Sequence, residues 1–290
     1  MFPREDYRDT MAALYSRDLE VGMRRWGLAF LFLVSAASLS AQAPAITPSP
    51  QAQAAPTAVS AKIWLGRNAE FEDFLRKTPF TKISEVPIGV TRPKRGYFAP
   101  GGLAESAAWK ILPPGRPNGY WESYKSEIAA YELDKLLGMD MVPPTVEKRV
   151  DGEPGAAILW VKPVRGWKEV ENLPKPEKWN RQAVRMKMFD NLICNIDRNA
   201  GNLIVDPDWN LYLIDHSRAF ITDKKLPFTM VRIDQELWER MLALDEPGLT
   251  TALGSWLDRG SIRAMLRRRD AMKVIIDGMV KKLGDQVYVK

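Results

Sequence analysis

The sequence predicts an α+β fold of two lobes: a small, mainly-β N-terminal lobe with one helix, and a mainly-α C-terminal lobe. Between residues 83 and 161, short apolar runs separated by turn residues flank one amphipathic stretch, and after Lys162 helical spacing prevails. A chain of 290 residues that is 46% hydrophobic is long and apolar enough to bury a core in each lobe. We therefore assign the N-lobe to residues 62–161 and the C-lobe to residues 162–290.

The first sixty residues predict an export signal followed by a tether. Two arginines precede the apolar run 26–34, and a small-x-small sequence ends at Ala43, in the order of a cleaved signal peptide. The run is shorter than the ~20 residues of a spanning helix, so we expect no stable transmembrane span. We interpret residues 1–43 as a signal peptide, with Met23 as an alternative start, and the Pro/Ala-rich residues 44–61 as a flexible linker. The protein is then exported, to the periplasm or outside the cell, or remains membrane-tethered if the signal is not cleaved.

The composition excludes several kinds of site. The chain has one cysteine, Cys194, and one histidine, His216, which is too few for a Cys/His zinc site, a Cys–His dyad with an orienting partner or an internal disulfide. The net charge of +6 suits a phosphate-rich ligand, an acidic substrate or an anionic membrane without selecting among them. No zinc-finger spacing or aromatic-basic strand signature is present, so nucleic acid is not a predicted partner. The chemistry must therefore use carboxylates, lysine and bound metal.

In the N-lobe the pattern predicts strands around one long helix. We expect a short helix at 70–76, strands at 86–90, 96–99 and 107–112, and a turn at 92–96. A helix is predicted from Ser123 to Leu137, with Ile128, Tyr131 and Leu136 on its apolar stripe and Gly138 at its end. A hairpin at 142–161, turned at 151–152, completes the lobe.

In the C-lobe the pattern predicts helices interrupted by one hairpin. An amphipathic helix at 181–193 is followed by a polar loop, 195–202, and by two short apolar strands at 203–205 and 211–214. Asp234 is expected to cap a helix at 235–243, and Ser261 a long helix that ends at Gly284. The run of arginines at 267–269 in that helix is interpreted as a solvated face.

Three polar residues of the C-lobe form a candidate site. Asp197 opens the polar loop, Asn202 closes it, and Asp215 ends the second apolar strand. Antiparallel pairing of the two strands would bring Asp215 beside Asn202. Alone, each residue is explained by a turn or a strand end. Together they supply what phosphoryl transfer needs: Asp197 as a base for the attacking hydroxyl, and Asn202 and Asp215 as oxygen ligands for Mg²⁺ or Mn²⁺.

Two charged residues of the N-lobe complete the set. Lys110 lies in an otherwise apolar strand, so its ammonium group should face a site rather than a core. Glu127 begins the apolar stretch of the helix that follows, and a strand lysine paired with a helix glutamate would be fixed on nucleotide phosphates. The alternative is an edge-strand lysine with a solvated helix glutamate.

Three segments carry a resemblance to a known family. They are EIAAYELDKLLGMDMVPP (127–144), MFDNLICNIDR (188–198) and IDHSRAF (214–220). In this order they resemble the secretory-pathway atypical kinases, the Golgi casein kinase and Four-jointed group. The resemblance implies a two-lobed kinase-like fold, with Lys110 and Glu127 as the nucleotide-clamping pair, Asp197 as the base and Asp215 as a metal ligand.

The wider fold includes HipA-like and phosphatidylinositol kinases. Their Asp-Arg-x-x-x-Asn spacing, in which the Asn is a metal ligand, resembles the spacing from Asp197 to Asn202 in this chain. The resemblance implies that Asn202 is a metal ligand. The sequence departs from the family at Asn199, where His is common, and it lacks the many cysteines of the animal proteins. It also has no compact glycine-rich loop, so residues 92–96 or 100–102 are expected to cover the phosphates. His216 is expected to occupy a variable position, with a role as a donor to Asp215 as the alternative.

The leading interpretation is an ATP- and metal-dependent kinase that phosphorylates a hydroxyl acceptor, with protein serine or threonine preferred. A kinase for a lipid head group or a sugar is the second interpretation. The third is a pseudokinase, a nucleotide-binding scaffold without turnover, which the complete set of five polar residues argues against.

Overall fold

The structure, a computed structural model, describes residues 61–86, 93–117 and 119–289. The predicted signal peptide, nearly all of the predicted linker and most of the strand predicted at 86–90 lie outside these residues. Among the helices that the structure describes, none is both long enough and apolar enough to cross a lipid bilayer.

A five-stranded antiparallel sheet forms the N-lobe. Its strands are β1 (Lys82–Glu85), β2 (Lys94–Tyr97), β3 (Ser106–Lys110), β4 (Thr145–Val150) and β5 (Glu153–Leu159), in the spatial order β1-β2-β3-β5-β4. Helix α1 (Asn68–Lys77) precedes the sheet, and helix α2 (Tyr124–Leu137) connects β3 with β4. The predicted hairpin is confirmed as β4–β5, and its turn residues Asp151 and Gly152 both have the positive φ that a tight two-residue turn requires.

The two faces of the sheet pack against different helices. Strand residues alternate in direction, so Ala107 and Leu159 belong to the cluster that contains Phe71 and Leu75 of α1. On the other face, Ala156 and Ile158 pack with Tyr124 and Ile128 of α2. This second face also carries Lys110, which pairs across the ladder with Ala156.

Helix α2 is confirmed with both of its predicted ends. The Ser123 side chain accepts a hydrogen bond from the backbone N–H of Lys125, and Gly138 ends the helix in the left-handed conformation. The prediction for Leu136 is wrong, because its side chain is 49% exposed whereas Ile128 and Tyr131 are buried. Leu136 follows Tyr131 by five residues, which places it about 140° away around the helix.

The predicted turn at 92–96 is wrong, because β2 begins at Lys94. Gly96 lies opposite Ala107 in the ladder, and a Cβ atom at Gly96 would come within 2.5 Å of the Phe80 ring. Glycine at this position therefore serves close packing rather than a turn. Strand β1, at Lys82–Glu85, was not predicted, and it pairs with β2.

The C-lobe consists of helices around a small three-stranded antiparallel sheet. The strands are β6 (Arg165–Gly166), β7 (Leu203–Val205) and β8 (Leu211–Leu213); the helices are α3 (Trp167–Val170), α4 (Lys178–Ile193), α5 (Gln235–Leu242), α6 (Glu246–Leu253) and α7 (Arg259–Leu283). Asp234 caps α5 as predicted. The predicted cap of α7 is wrong: Asp258, not Ser261, caps this helix, because its side chain accepts a hydrogen bond from the backbone N–H of Ser261. Helix α6, capped by Asp245, was not predicted.

One arginine of the run at 267–269 is a core residue, which corrects the predicted solvated face. Arg268 is fully buried, and it donates hydrogen bonds to the carbonyl oxygens of Leu192, Ile221 and Asp223. These carbonyls lie near the end of α4 and in the segment after β8, where the helix and strand leave backbone acceptors unpaired. Arg268 thereby joins α7 to the segment that follows the candidate site.

Candidate active site

Lys110 and Glu127 form a buried ion pair between β3 and the first turn of α2. Lys110 Nζ lies 2.7 Å from Glu127 Oε1, and the two side chains are 7% and 3% exposed. Burial alone lowers the pKa of Lys110, but the charges of Asp215 and Glu127 outweigh burial and hold it above its ordinary value. Burial alone would likewise raise the pKa of Glu127, but Lys110 and His216 outweigh burial and hold this pKa below its ordinary value. The pair is therefore charged at neutral pH.

Asp215 meets this pair from the C-lobe. Lys110 Nζ lies 2.7 Å from Asp215 Oδ1, which also accepts from the Ser217 hydroxyl at 3.1 Å. The backbone N–H of His216 donates to Glu127 Oε2 at 2.9 Å, so the turn after β8 is tied to both N-lobe residues. Asp215 has φ 63°, a left-handed conformation that costs a non-glycine residue about 1–3 kcal/mol and is typical of functional sites.

The hairpin β7–β8 brings Asn202 beside Asp215, as the sequence predicted. Leu203 pairs with Leu213, and the N–H of Ile214 donates to the carbonyl of Asn202 at 3.3 Å. The Asn202 side-chain nitrogen donates to the backbone carbonyl of Asp197 at 3.0 Å, which joins the two ends of the polar loop. Lys110, Glu127 and Asp215 therefore form one hydrogen-bonded group and Asn202 and Asp197 a second, and the backbone bond from Ile214 to Asn202 joins the two groups.

The carboxylate of Asp197 is paired with Arg218. Arg218 Nη1 donates to Asp197 Oδ2 at 3.2 Å. Burial raises the pKa of the Asp197 carboxyl, Arg218 opposes this shift, and Asp215 adds to it; the pKa lies above its ordinary value. Such a carboxylate is a better proton acceptor than an ordinary surface aspartate.

Arg198 was not singled out by the sequence analysis, although it holds the loop in place. Its guanidinium, 1% exposed, binds both carboxylate oxygens of Asp190 at 2.9 and 3.0 Å. It also donates to the carbonyls of Asn202 at 3.0 Å and Ile214 at 2.7 Å. The one signal in the sequence is its place in Asp-Arg-x-x-x-Asn, because the partner aspartate lies on α4 and is not marked by spacing.

His216 is buried, and its side chain is neutral. Arg198 Nη2 lies 2.9 Å from His216 Nε2, and because a guanidinium only donates, this nitrogen is the acceptor. The remaining ring nitrogen, Nδ1, then carries the proton and lies 3.6 Å from Glu127 Oε2. Burial lowers the pKa of His216, which favours this neutral form. Its ring therefore contacts Glu127 and Arg198.

The donor set fits a divalent cation that binds together with a nucleotide. Asp215 Oδ2 and the side-chain oxygen of Asn202 have no hydrogen-bond partner among the described residues, and oxygen donors suit Mg²⁺ and Mn²⁺. No group of three or more His, Cys, Asp or Glu side chains in the described ranges is arranged to hold a metal ion. One carboxylate and one amide leave most coordination positions for phosphate oxygens and water, which is how Mg²⁺ is usually held.

The face of the sheet that carries Lys110 continues along β3 toward Ser106. Ala108 is two residues and Ser106 four residues from Lys110 on the same face, roughly 7 and 13 Å along the strand. Arg95 crosses this face: Nε donates to the Ser106 hydroxyl at 3.0 Å, and its guanidinium lies 4.2 Å from the ring centroid of Trp160. Arg95 and Trp160 therefore lie together at the end of β3 away from Lys110.

The two lobes, with charged residues meeting between them, define a kinase-like fold. Solved structures of similar fold support this assignment. The crystal structure of the Golgi casein kinase with Mn and ADP bound matches with a TM-score of 0.57 at 15% identity, over 76% of this chain and 77% of that one. The structure of hydra Fam20 with sugar matches with a TM-score of 0.57 at 16% identity, over 76% and 91%. No protein-family model matches the chain, and no curated protein matches it in sequence.

The fold is that of the secretory-pathway atypical kinases. The predicted α+β, two-lobed, kinase-like architecture is confirmed, and so is the resemblance to the Golgi casein kinase group at the level of the fold.

Proposed function

We propose that this chain is an ATP- and metal-dependent kinase that transfers the γ-phosphoryl group to a hydroxyl acceptor, with protein serine or threonine preferred. The observation that carries the proposal is the position of Lys110, which lies 2.7 Å from both Glu127 and Asp215. An N-lobe ammonium group, its helix partner and a C-lobe carboxylate thus meet at one point between the lobes. Only Glu127 is needed to neutralise Lys110, so Asp215 is positioned for a further cation.

Lys110 binds the nucleotide phosphates, and Glu127 holds Lys110 in place. With its raised pKa, Lys110 stays charged at neutral pH and keeps the electrostatic attraction to phosphate. Glu127 Oε1 fixes the ammonium group while Glu127 Oε2 fixes the backbone of His216. The lysine is therefore oriented before the nucleotide arrives, which reduces the entropy cost of binding.

Asp215 and Asn202 would hold Mg²⁺ or Mn²⁺, which would supply positive charge beside the phosphate oxygens when bound. Asn202 is fixed for this role by its hydrogen bond to the carbonyl of Asp197. Asp215 is fixed by Lys110 and Ser217.

Asp197 accepts the proton of the acceptor hydroxyl. The hydroxyl oxygen then forms a bond to the γ-phosphorus, the bond from this phosphorus to the bridging oxygen breaks, and ADP leaves with the electron pair. The elevated pKa of Asp197 suits a proton acceptor, because a carboxylate with a higher pKa takes up a proton more readily.

Two findings support kinase activity over a scaffold. All five polar residues are present, with Lys110 bonded to Glu127 and Asp215 and with Asn202 bonded to Asp197, and the similar Golgi casein kinase structure holds Mn and ADP. A sugar kinase is the second candidate, because the similar hydra Fam20 structure contains sugar. We further propose export through the N-terminal signal, in line with the secretory-pathway proteins that share the fold.

Calorimetry and phosphate transfer test the proposal separately. Titration of the full chain with ATP should show binding that requires Mg²⁺ or Mn²⁺, and labelled ATP should transfer phosphate to one class in a panel of proteins, phosphoinositides and sugars. Asp197→Ala should abolish transfer while sparing nucleotide binding, and Asp215→Ala should reduce both. Asp277→Ala, at an exposed position of α7, is the matched control. Metal-independent binding, or normal transfer by Asp197→Ala, would refute the proposed roles.

A further inference from the structure

A cavity of about 360 Å³ opens beside Asp197. Its lining combines the loop between β3 and α2 with the segment after Asp215, and includes Arg116, Tyr120, Trp121, Ile196, Arg218 and Thr222. Lys110, Glu127 and Asp215 are not among the described residues that line it. Ile196 immediately precedes Asp197, and Arg218 is hydrogen-bonded to the Asp197 carboxylate. The cavity therefore adjoins the proposed base through Ile196 and Arg218, on a side that the described residues of the proposed nucleotide site do not line.

Arg218 connects the cavity to the base. Its Nε and Nη2 atoms donate to Glu122 Oε1 at 3.0 and 2.7 Å, while Nη1 donates to Asp197 Oδ2 at 3.2 Å. The Glu122 side chain is only 3% exposed, so it gives the guanidinium a fixed anchor. A guanidinium has five N–H donors, and these three bonds leave two N–H groups for a ligand.

The walls of the cavity are held by backbone contacts. Glu122 forms a two-way backbone bridge with Gly115, and the N–H of Ser123 donates to the carbonyl of Ser217 at 2.9 Å. On the other side, Arg268 holds the carbonyls of Ile221 and Asp223. Loop and segment are thus joined to each other and to the core, as expected of a preformed site.

We propose that this cavity receives the acceptor, a hydroxyl group with hydrogen-bond-accepting oxygens beside it, and that Arg218 is a positioning residue that aims Asp197 at that hydroxyl. This inference rests on the proposed function. Lys110 and Asp215 occupy the nucleotide side of the site, so the hydroxyl must approach from the side of Arg218. The volume is near the lower limit for ligand pockets, enough for one hydroxylated side chain with its main chain, or one sugar ring. Peptide carbonyls and sugar oxygens share the required chemistry.

Thr222→Trp tests the location of the acceptor site, with Lys224→Trp as the matched control. Thr222 is exposed and lines the cavity, so an indole there should fill it, whereas Lys224 is equally exposed and is not part of the described lining. Transfer from labelled ATP is measured to a serine/threonine peptide library in one arm and to a panel of monosaccharides in the other. We expect Thr222→Trp to raise the acceptor KM by about tenfold or more, with ATP affinity unchanged within about twofold. Lys224→Trp should change neither.

Arg218→Lys and Arg218→Met test the positioning role. Misplacing a catalytic group by about 1 Å costs roughly a hundredfold in rate, so Arg218→Met should lower kcat by about that factor at unchanged ATP affinity. Arg218→Lys keeps the charge but loses the fork that binds Glu122 and Asp197 together, and should recover only part of the loss. A purely structural role would instead lower ATP affinity and kcat together.

The outcomes separate this inference from the function on which it rests. Transfer in either arm, with the acceptor KM raised only by Thr222→Trp, supports the inference, and the active arm identifies the source of the hydroxyl. An unchanged acceptor KM in Thr222→Trp, or an unchanged kcat in Arg218→Met, would overturn it, as would ATP binding without transfer in both arms. Absence of metal-dependent ATP binding in the unmodified chain would instead refute the proposed function itself.

Discussion

Replacement of Arg198 by methionine is the perturbation whose cost the structure specifies best. Methionine keeps an unbranched apolar stem and removes every donor. The carboxylate of Asp190, which is 0% exposed, then loses its cation, and the carbonyls of Asn202 and Ile214 lose a buried donor. Removal of one partner of a buried ion pair typically costs about 3–5 kcal/mol, because the other charge stays buried and uncompensated.

We therefore expect Arg198→Met to lower the free energy of unfolding by at least about 3 kcal/mol, with the unpaired carbonyls adding to this. Urea unfolding followed by circular dichroism measures the change as a lower midpoint at an unchanged slope. Arg267→Met on α7, at an exposed position, is the matched control and should change stability by no more than about 0.5 kcal/mol.

A double-mutant cycle with Asp190→Asn isolates the pair. Once Asp190 is neutral, the loss of Arg198 should cost less, and we expect a coupling energy of at least about 2 kcal/mol between the two positions. Destabilisation by Arg198→Met of less than about 1 kcal/mol, together with normal phosphate transfer, would refute the reasoning that this buried pair holds the loop.

Three further predictions follow from the same structure. Lys110→Met should abolish phosphate transfer and weaken ATP binding about tenfold or more in calorimetry, because it removes the cation proposed for the phosphates. Burial raises the pKa of Asp134 to about 7, although two backbone N–H groups donate to it, so the folded state binds its proton more tightly than the unfolded chain does. The stability that this proton contributes is fully present below pH 3.8 and is lost as the pH rises to about 7. In urea unfolding, the free energy of unfolding of the unmodified chain should therefore fall by up to about 4 kcal/mol between pH 4 and pH 8. Asp134→Asn should abolish this fall. Arg95→Ala should weaken the binding of ATP but not of inorganic tripolyphosphate, because we propose that a nucleotide with its phosphates at Lys110 has its base near Arg95 and Trp160, at the other end of β3.

Exposed positions of the same residue types supply the controls. Lys281→Met, Asp277→Asn and Arg149→Ala should each behave as the unmodified chain in the corresponding measurement. Full transfer by Lys110→Met would remove that residue from the proposed site. Equal pH dependence in the Asp134→Asn variant and the unmodified chain would show that Asp134 is ionised in the fold. Equal losses of ATP and tripolyphosphate affinity in Arg95→Ala would place Arg95 at the phosphates.

Features that depend on neighbouring residues could be predicted from the amino-acid sequence. The ends of α2 follow from Ser123 and Gly138, and the start of α5 from Asp234, because capping is an interaction with the next few residues of the chain. The hairpin β7–β8 likewise follows from two short apolar runs joined by a turn. This local information was enough to bring Asn202 and Asp215 together.

Contacts between residues that are distant along the chain could not be predicted from the sequence and became visible in the folded structure. The start of β2 and the burial of Arg268 depend on partners more than ten residues away, and no local pattern marks those partners. The same holds for Arg198, whose burial is possible only because Asp190 and two carbonyls surround it, and for Arg218, which meets Glu122 across the lobes. Spacing can suggest which side chains take part in a site, but the pairing of buried charges is settled where the elements pack.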